Sequence, residues 1–291
     1  MSFEALFSPS ICYGAPGAEW TLALPITLPL AGLLLLYAIG AIRLWHRSAN
    51  SRRLRLRHAV LFAVGWLVLA LALESPLHAL GERVFTAHMI EHELLMAVAA
   101  PLFIASYPAA ALMWALPLKL RKALGAIGQS RSLGIVWGRI SRPGAATMLH
   151  GVAIWIWHIP ALFEAALERG FLHYLQHASF FGTGLLFWWA LLPRRRSEAR
   201  GGAVLHLFLT TLHTGLLGVL LVVSPRLWYP ANTGGSQFWN LTSLEDQQLA
   251  GLVMWVPAGL IYGGAALFLV GLWIRSSGEK SREMAHALNP V

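Results

Sequence analysis

Cysteine is almost missing from this chain: Cys12 is the only one in 291 residues. A single thiol excludes an internal disulfide, a Cys-x-x-Cys redox pair and a thiolate-rich metal cage. Any metal chemistry must therefore use imidazole, thioether and carboxylate. Charge is scarce as well, at 12% of residues against 57% hydrophobic. A soluble core of this size does not need so much apolar surface, and the composition is that of a polytopic membrane protein. Acidic residues are the scarcer sign, 13 against 22 Lys and Arg. The resulting net charge of +9 would suit nucleic acid only if it formed a basic face on a soluble domain. Here the cations sit in short runs between apolar stretches, so no nucleic-acid partner is expected. There is no internal repeat and no low-complexity segment.

What the chain does have is long apolar runs. About 20 helical residues cross a hydrocarbon layer of ~30 Å, and runs of that length occur near 20–44, 58–78, 86–106, 144–166, 172–193, 203–224 and 246–274. We expect an all-α, seven-helix integral membrane bundle forming a single domain over 1–291. The first run is expected to stay as a helix rather than be cleaved as a signal peptide, because its first basic residue, Arg43, lies at its far end. Cytoplasmic loops retain Lys and Arg. "HRSANSRRLRLR" carries five, Lys119 to Arg142 six, "RRRSEAR" four and the tail from Arg275 three, against only Arg83, Arg169 and Arg226 on the other side. The N-terminus is therefore expected outside and the C-terminus inside, in a bacterial cytoplasmic membrane. The basic stretch 119–142 reads either as an amphipathic helix on anionic lipid or as a solvated loop. The outer loop "PRLWYPANTGGSQFWNLTSLE" is expected to cap the outer surface and offer a partner surface.

Threading this topology through the bilayer sorts the histidines by depth. In "AHMIEHELL", His88 and His92 occupy the first two turns of the third segment. His173 and His177 do the same on the fifth. His158 lies about seven residues below the outer end of the fourth, roughly 10 Å deep at 1.5 Å per residue. All five share the outer third, where Asp246 and Gln247 open the seventh segment and Met254 follows two turns in. Residues four apart on a helix differ by only about 40° in direction, so each His-x-x-x-His pair can aim both imidazoles at one ion. Polar groups inside a membrane are costly enough that such a cluster is a functional hypothesis. The bland alternative is helix–helix hydrogen bonding.

Further in, His150, His206 and His213 would form a deeper relay for a metal ion or protons, although each alone fits a structural role better. Glu91 and Glu93 flank His92, and one of them would orient a ligating imidazole. Met89, Met96 and Met254 are soft ligands suited to Cu(I), or simply packing residues.

Three functions compete. "HMIEH" matches the H-x-x-E-H signature of inverted zinc proteases, but leaves His158, His173 and His177 without a role. A b-type haem protein would use axial histidines from facing helices, yet close i, i+4 pairs converge on one ion more naturally than they straddle a macrocycle. A copper-handling protein with its site at the outer face fits the imidazole-rich, thiol-free ligand set. Ligand type leaves copper, zinc and haem b open.

"FTAHMIEHELLMAVAAPLFIAS", "IWIWHIPALFEAAL", "FLHYLQHASFFGTGLLFWWALL" and "EDQQLAGLVMWVPAG", in this order, resemble the CtaG-type (caa3-type) cytochrome c oxidase assembly factors over about residues 20–275. The resemblance implies a multispanning membrane protein that supports copper delivery to a haem–copper oxidase, and not a turnover enzyme. The family's histidine positions fall on His88, His92, His158, His173 and His177, and its acidic-Gln helix start on Asp246 and Gln247. Implied partners are a cytochrome c oxidase subunit or another copper chaperone, together with the bilayer. A homodimer is compatible with the chain.

Overall fold

Every expected apolar segment is helical in the computed structural model, which describes residues 20, 22–46, 52–192, 198–230 and 239–288. Cys12 and the basic residues Arg194 to Arg196 lie outside that range, as do residues 231–238 of the loop expected to face outward. No strand occurs among the described residues. In chain order the helices are α1 Leu24–Trp45, α2 Arg52–Glu74, α3 Pro76–Gly81 and α4 Phe85–Glu93. A π-helical turn, Leu94–Ala99, leads into α5 Ala100–Ala105. Next come α6 Ala109–Ala115, α7 Leu118–Gly128, α8 Arg131–Ile140, α9 Pro143–Trp157, α10 Pro160–Glu168 and α11 Gly170–Leu191. The chain ends with α12 Glu198–Val223 and α13 Ser243–Leu288.

Among the described residues, five helical segments are long and apolar enough to cross a membrane: Leu24–Trp45, Arg52–Glu74, Phe85–Ala105, Gly201–Val223 and Ser243–Arg275. The pair α9–α10 makes a sixth if counted as one span. α11 has the length, at 22 residues, but His173, Gln176, His177, Ser179 and Thr183 lower its apolarity. Large side chains stand out from these helices, among them Leu260 at 72% and Leu267 at 75% exposure. Exposed apolar surface of this kind marks contact with a membrane or another protein, and with five to six helical segments long and apolar enough to span a bilayer the protein is a multi-pass membrane protein.

Two breaks depart from straight spans, and both shape the site. Pro101 has no N–H and its ring crowds the carbonyl one turn back, so the helix widens to i→i+5 pairing just before it. The Ala100 amide bonds Leu95 O, which frees Met96 O to accept the Trp188 Nε1–H at 2.9 Å. Widened turns of this type recur at functional sites, and this one follows His88, Glu91 and His92 directly. The fourth segment, expected as one helix over 144–166, is bent by 75° between α9 and α10. Pro160 biases the residue before it away from helical backbone, and Ile159 is extended. His158 therefore caps α9 at the bend instead of projecting from the side of a continuous helix.

The end of the third segment turns at Tyr107, whose φ is +48°. It then forms α6, which lies on α1 with Gly40 against the Ala111 carbonyl. Arg43 closes the C-terminal end of α6 by donating to Trp114 O and Ala115 O at 3.0 and 2.7 Å. The basic stretch 119–142 is helical, as α7 and α8, with no buried residue in either. α12 and α13 pack through Gly218 and Gly251, where a Cβ on either would sit 2.6 Å from the other's carbonyl oxygen. Such close approach is how small residues join helices where no hydrophobic force operates between them.

Candidate metal centre

Four elements bring the site together. α4 carries His88, Glu91 and His92, α11 carries His173, Gln176 and His177, α3 carries His78, and the end of α9 carries His158. All eight are buried. α4 is set in place by Asp246 at the start of α13. The Asp246 carboxylate accepts from Phe85 N at 2.8 Å, from Thr86 N at 3.0 Å and from Thr86 Oγ1 at 2.6 Å. These are the amides a helix N-terminus leaves open, and a carboxylate there also complements the helix dipole.

α3 lies against α4 because Gly81 has no side chain: a Cβ would meet Glu91 Oε2 at 3.1 Å and His88 Cα at 3.2 Å. Ser75 starts α3 by accepting from Leu77 N at 3.2 Å, and its hydroxyl donates to Leu71 O. The segment after α12 is tied down from the other side. Trp228 N donates to Gln247 Oε1 at 2.6 Å and Gln247 Nε2 to Arg226 O at 3.1 Å. Tyr229 Oη donates to His158 O at 2.7 Å.

The imidazoles face one another. Ring centroids are 4.3 Å apart for His88–His92, 5.2 Å for His92–His177, 4.4 Å for His173–His177 and 5.3 Å for both His88–His173 and His78–His173. His158 stands at the margin, 6.5 Å from His92. Two triads have ligand nitrogens within 4.8 Å of one another: His78, His173, His177 and His88, His92, His177.

Hydrogen bonds select the tautomers. His88 Nδ1 lies 3.2 Å from Gly81 O and His158 Nδ1 2.7 Å from Ile154 O. A carbonyl can only accept, so both Nδ1 atoms carry the proton and both Nε2 atoms hold a lone pair. His78 Nδ1 lies 2.8 Å from Glu91 Oε1, and His177 Nδ1 is 3.5 Å from the same oxygen. This is the carboxylate–histidine arrangement that orients ligating imidazoles.

Seven ring nitrogens on five of these histidines are buried with no hydrogen-bond partner: His88 Nε2, both of His92, His158 Nε2, His173 Nε2 and both of His177. Buried polar atoms in folded proteins are almost always satisfied, and each one left open costs about 1–3 kcal/mol. Burial of bare lone pairs on converging helices is what a soft or borderline cation would relieve. A metal–nitrogen distance of about 2.0–2.1 Å and tetrahedral angles would space ring centroids by roughly 5.2 Å, close to the separations above.

The five histidines expected to share one level are thus brought together, with His158 at the edge. Asp246 faces the helix terminus and not the imidazoles. Met89, Met96 and Met254 sit in the apolar cluster with Phe85, Phe163 and Phe180. Glu93 is buried with Oε2 unpartnered. The deeper histidines stay outside the cluster. His150 Nδ1 is 3.0 Å from Thr183 Oγ1, whose own proton goes to Ser179 O at 2.7 Å. His206 Nδ1 is 3.2 Å from Thr147 Oγ1, and His213 Nε2 lies beside Gly151. Three participants escaped the sequence reading. His78 had a signal, since it ends the second apolar segment on the side where the topology expected from the sequence puts the other five. Gln176, with both amide atoms buried and unpartnered, lies between two predicted ligands. Tyr229 had no signal beyond an aromatic in a loop.

Residues 35–276 match the family of cytochrome c oxidase caa3 assembly factors. The chain belongs to this family. The match takes in every element that builds the imidazole cluster, from α2 through the start of α13. It makes the protein a caa3-type oxidase assembly factor, whose family role implies interaction with cytochrome c oxidase. No curated protein and no solved structure matches the chain.

Proposed function

We propose that this caa3-type assembly factor binds copper at the imidazole cluster and passes it to cytochrome c oxidase, or to another copper chaperone, during oxidase maturation. The observation that carries this reading is the set of seven buried, unpartnered ring nitrogens. Copper is cargo here, so the site must release as well as hold. Neutral imidazoles without thiolate suit that, because they bind copper ions well and add no charge to be separated when the ion leaves. His88, His92, His173 and His177 ligate, His78 joins them, and His158 stands ready at the margin. Glu91 orients His78 and supplies the negative charge that offsets the ion's.

In the membrane we place seven crossings, with α9–α10 as a bent fourth and α11 as the fifth. The N-terminus faces outward and the C-terminus the cytoplasm of a bacterial cell, which puts the site near the outer face. The basic α7 and α8 then meet anionic lipid at the inner leaflet.

Two other readings fit less well. A porphyrin needs a slot between two axial imidazoles, and rings packed 4.3–5.3 Å apart leave none. A protease needs a carboxylate that water and substrate can reach, whereas Glu91 is fully buried, with Oε1 held by His78.

The test is copper analysis of the purified protein beside His88→Ala/His92→Ala/His173→Ala/His177→Ala, with oxidase copper content measured in cells carrying each. We expect copper on the wild type alone and a copper-deficient oxidase with the variant. Equal, negligible copper on both proteins would end this reading.

A further inference from the structure

The cluster holds more imidazoles than one ion needs, and they are not arranged as a single shell. His78 is a ring neighbour of His173 and His177, at 5.3 and 5.8 Å. His92 is a ring neighbour of His88, His177 and His158, at 4.3, 5.2 and 6.5 Å. The two triads that can each surround a cation, His78–His173–His177 and His88–His92–His177, share one residue. That residue is distinctive: both nitrogens of His177 are buried and unpartnered, so no hydrogen bond fixes its tautomer, and whichever nitrogen is not protonated offers one lone pair that an ion in either triad can use.

Each triad also has its own orienting partner. In the first, Glu91 accepts from His78 Nδ1 at 2.8 Å. In the second, Gly81 O accepts from His88 Nδ1 at 3.2 Å. In both cases the opposite ring nitrogen is left as the donor to metal. His173 is a ring neighbour of both His78 and His88, nearly parallel to each at interplanar angles of 14° and 13°, so a member of the first triad also borders the second.

Resting on the copper reading above, we propose that the site is two adjacent three-histidine stations for a single Cu(I) ion, with His177 as the ligand common to both. One ion at a time follows from charge. Two cations one imidazole apart in a low-dielectric interior repel strongly, and among the described residues Glu91 is the one carboxylate hydrogen-bonded to a member of either triad. An ion moving from one triad to the other exchanges two ligands while His177 holds it, so it is never stripped bare inside the membrane. A transfer protein needs this property: each step trades equivalent bonds and no station is a trap.

Copper stoichiometry on the full-length protein separates this arrangement from the alternatives. Wild type, His78→Ala/His173→Ala and His88→Ala/His92→Ala are loaded anaerobically with Cu(I), desalted and analysed for copper per chain. The four-histidine combination of those pairs serves as the blank. The corresponding Gln pairs, checked for a monodisperse profile on gel filtration, replace any Ala pair that does not fold. We expect about one copper on the wild type and on each pair, and none on the combination. Retention against a competing Cu(I) chelator should be weaker by tenfold or more in the pair that lacks the tighter station.

Two coppers on the wild type would overturn the single-ion arrangement. Loss of copper from either folded pair would overturn the two stations in favour of one site, while leaving copper binding intact. A wild type that holds no copper would overturn both the copper reading and this one.

Discussion

Asp246 caps the helix that carries His88 and His92 by taking the amide and hydroxyl protons of Thr86, 160 residues away in sequence, at 3.0 and 2.6 Å. The start of the last long helix therefore sets the position of the first ligand pair. An acidic residue beside a histidine cluster can attract the cation or accept a hydrogen bond, and here both carboxylate oxygens accept hydrogen bonds at a helix end.

Replacing Asp246 with Ala leaves the Phe85 and Thr86 amides unpartnered and leaves the Thr86 hydroxyl only the main-chain carbonyl of residue 246, at 3.0 Å. We expect a stability loss of roughly 2–4 kcal/mol, seen as earlier unfolding in detergent. Asp246→Asn keeps one acceptor oxygen and should lose less. Its copper X-ray absorption spectrum should equal that of the wild type, and a changed ligand count would put Asp246 in the coordination sphere after all.

Glu91→Gln keeps the size of the side chain and removes its charge. Loss of a carboxylate that orients a ligating histidine typically costs 10–100-fold in metal affinity, and we expect a copper-affinity decrease in that range by chelator competition. Unchanged affinity would show that Glu91 has no part in the site. A peptide-cleavage activity in the wild type that the variant lacks would restore the protease reading.

Gly81→Ala introduces a Cβ 3.1 Å from Glu91 Oε2 and 3.2 Å from His88 Cα, so α3 must shift away from α4. Overpacking of this kind costs about 1–3 kcal/mol. Because it separates His78 from Glu91, copper affinity should fall along with stability. Gly218→Ala meets the Gly251 carbonyl at 2.6 Å on the α12–α13 contact. It should lower the unfolding temperature by at least as much while leaving the copper spectrum unaltered.

Tyr229→Phe removes one hydrogen bond, to His158 O at 2.7 Å, and keeps the ring packed on Phe85 and Phe163. A stability loss of about 1 kcal/mol is expected, with copper binding reduced less than by removal of any histidine of the two triads. Titration of the purified variant with Cu(I) and a competing chelator checks the ordering.

Orientation has its own test. In a Cys12→Ser background, Lys122→Cys on α7 and Leu227→Cys in the outer loop are exposed to a membrane-impermeant thiol reagent on intact cells from which the outer barrier has been removed. Labelling at 227 and protection at 122 is the expected pattern. The reverse would invert the topology.

Sequence by itself was enough for the membrane class, the all-helical character of the chain and the choice of His88, His92, His158, His173 and His177 as residues that come together. Hydropathy and a 3.6-residue period are local properties, and a bilayer turns position along a span into depth. The family resemblance was legible for the same reason, since its motifs are contiguous. Tertiary structure alone decided what those motifs face. The bend at Ile159–Pro160 moves His158 to the edge of the cluster. The entry of His78 depends on α3 folding back over Gly81. Asp246 is assigned to Thr86 by a contact spanning half the chain. Such pairings arise from how helices pack across one another, and nothing in local periodicity encodes which of several equally deep faces will meet.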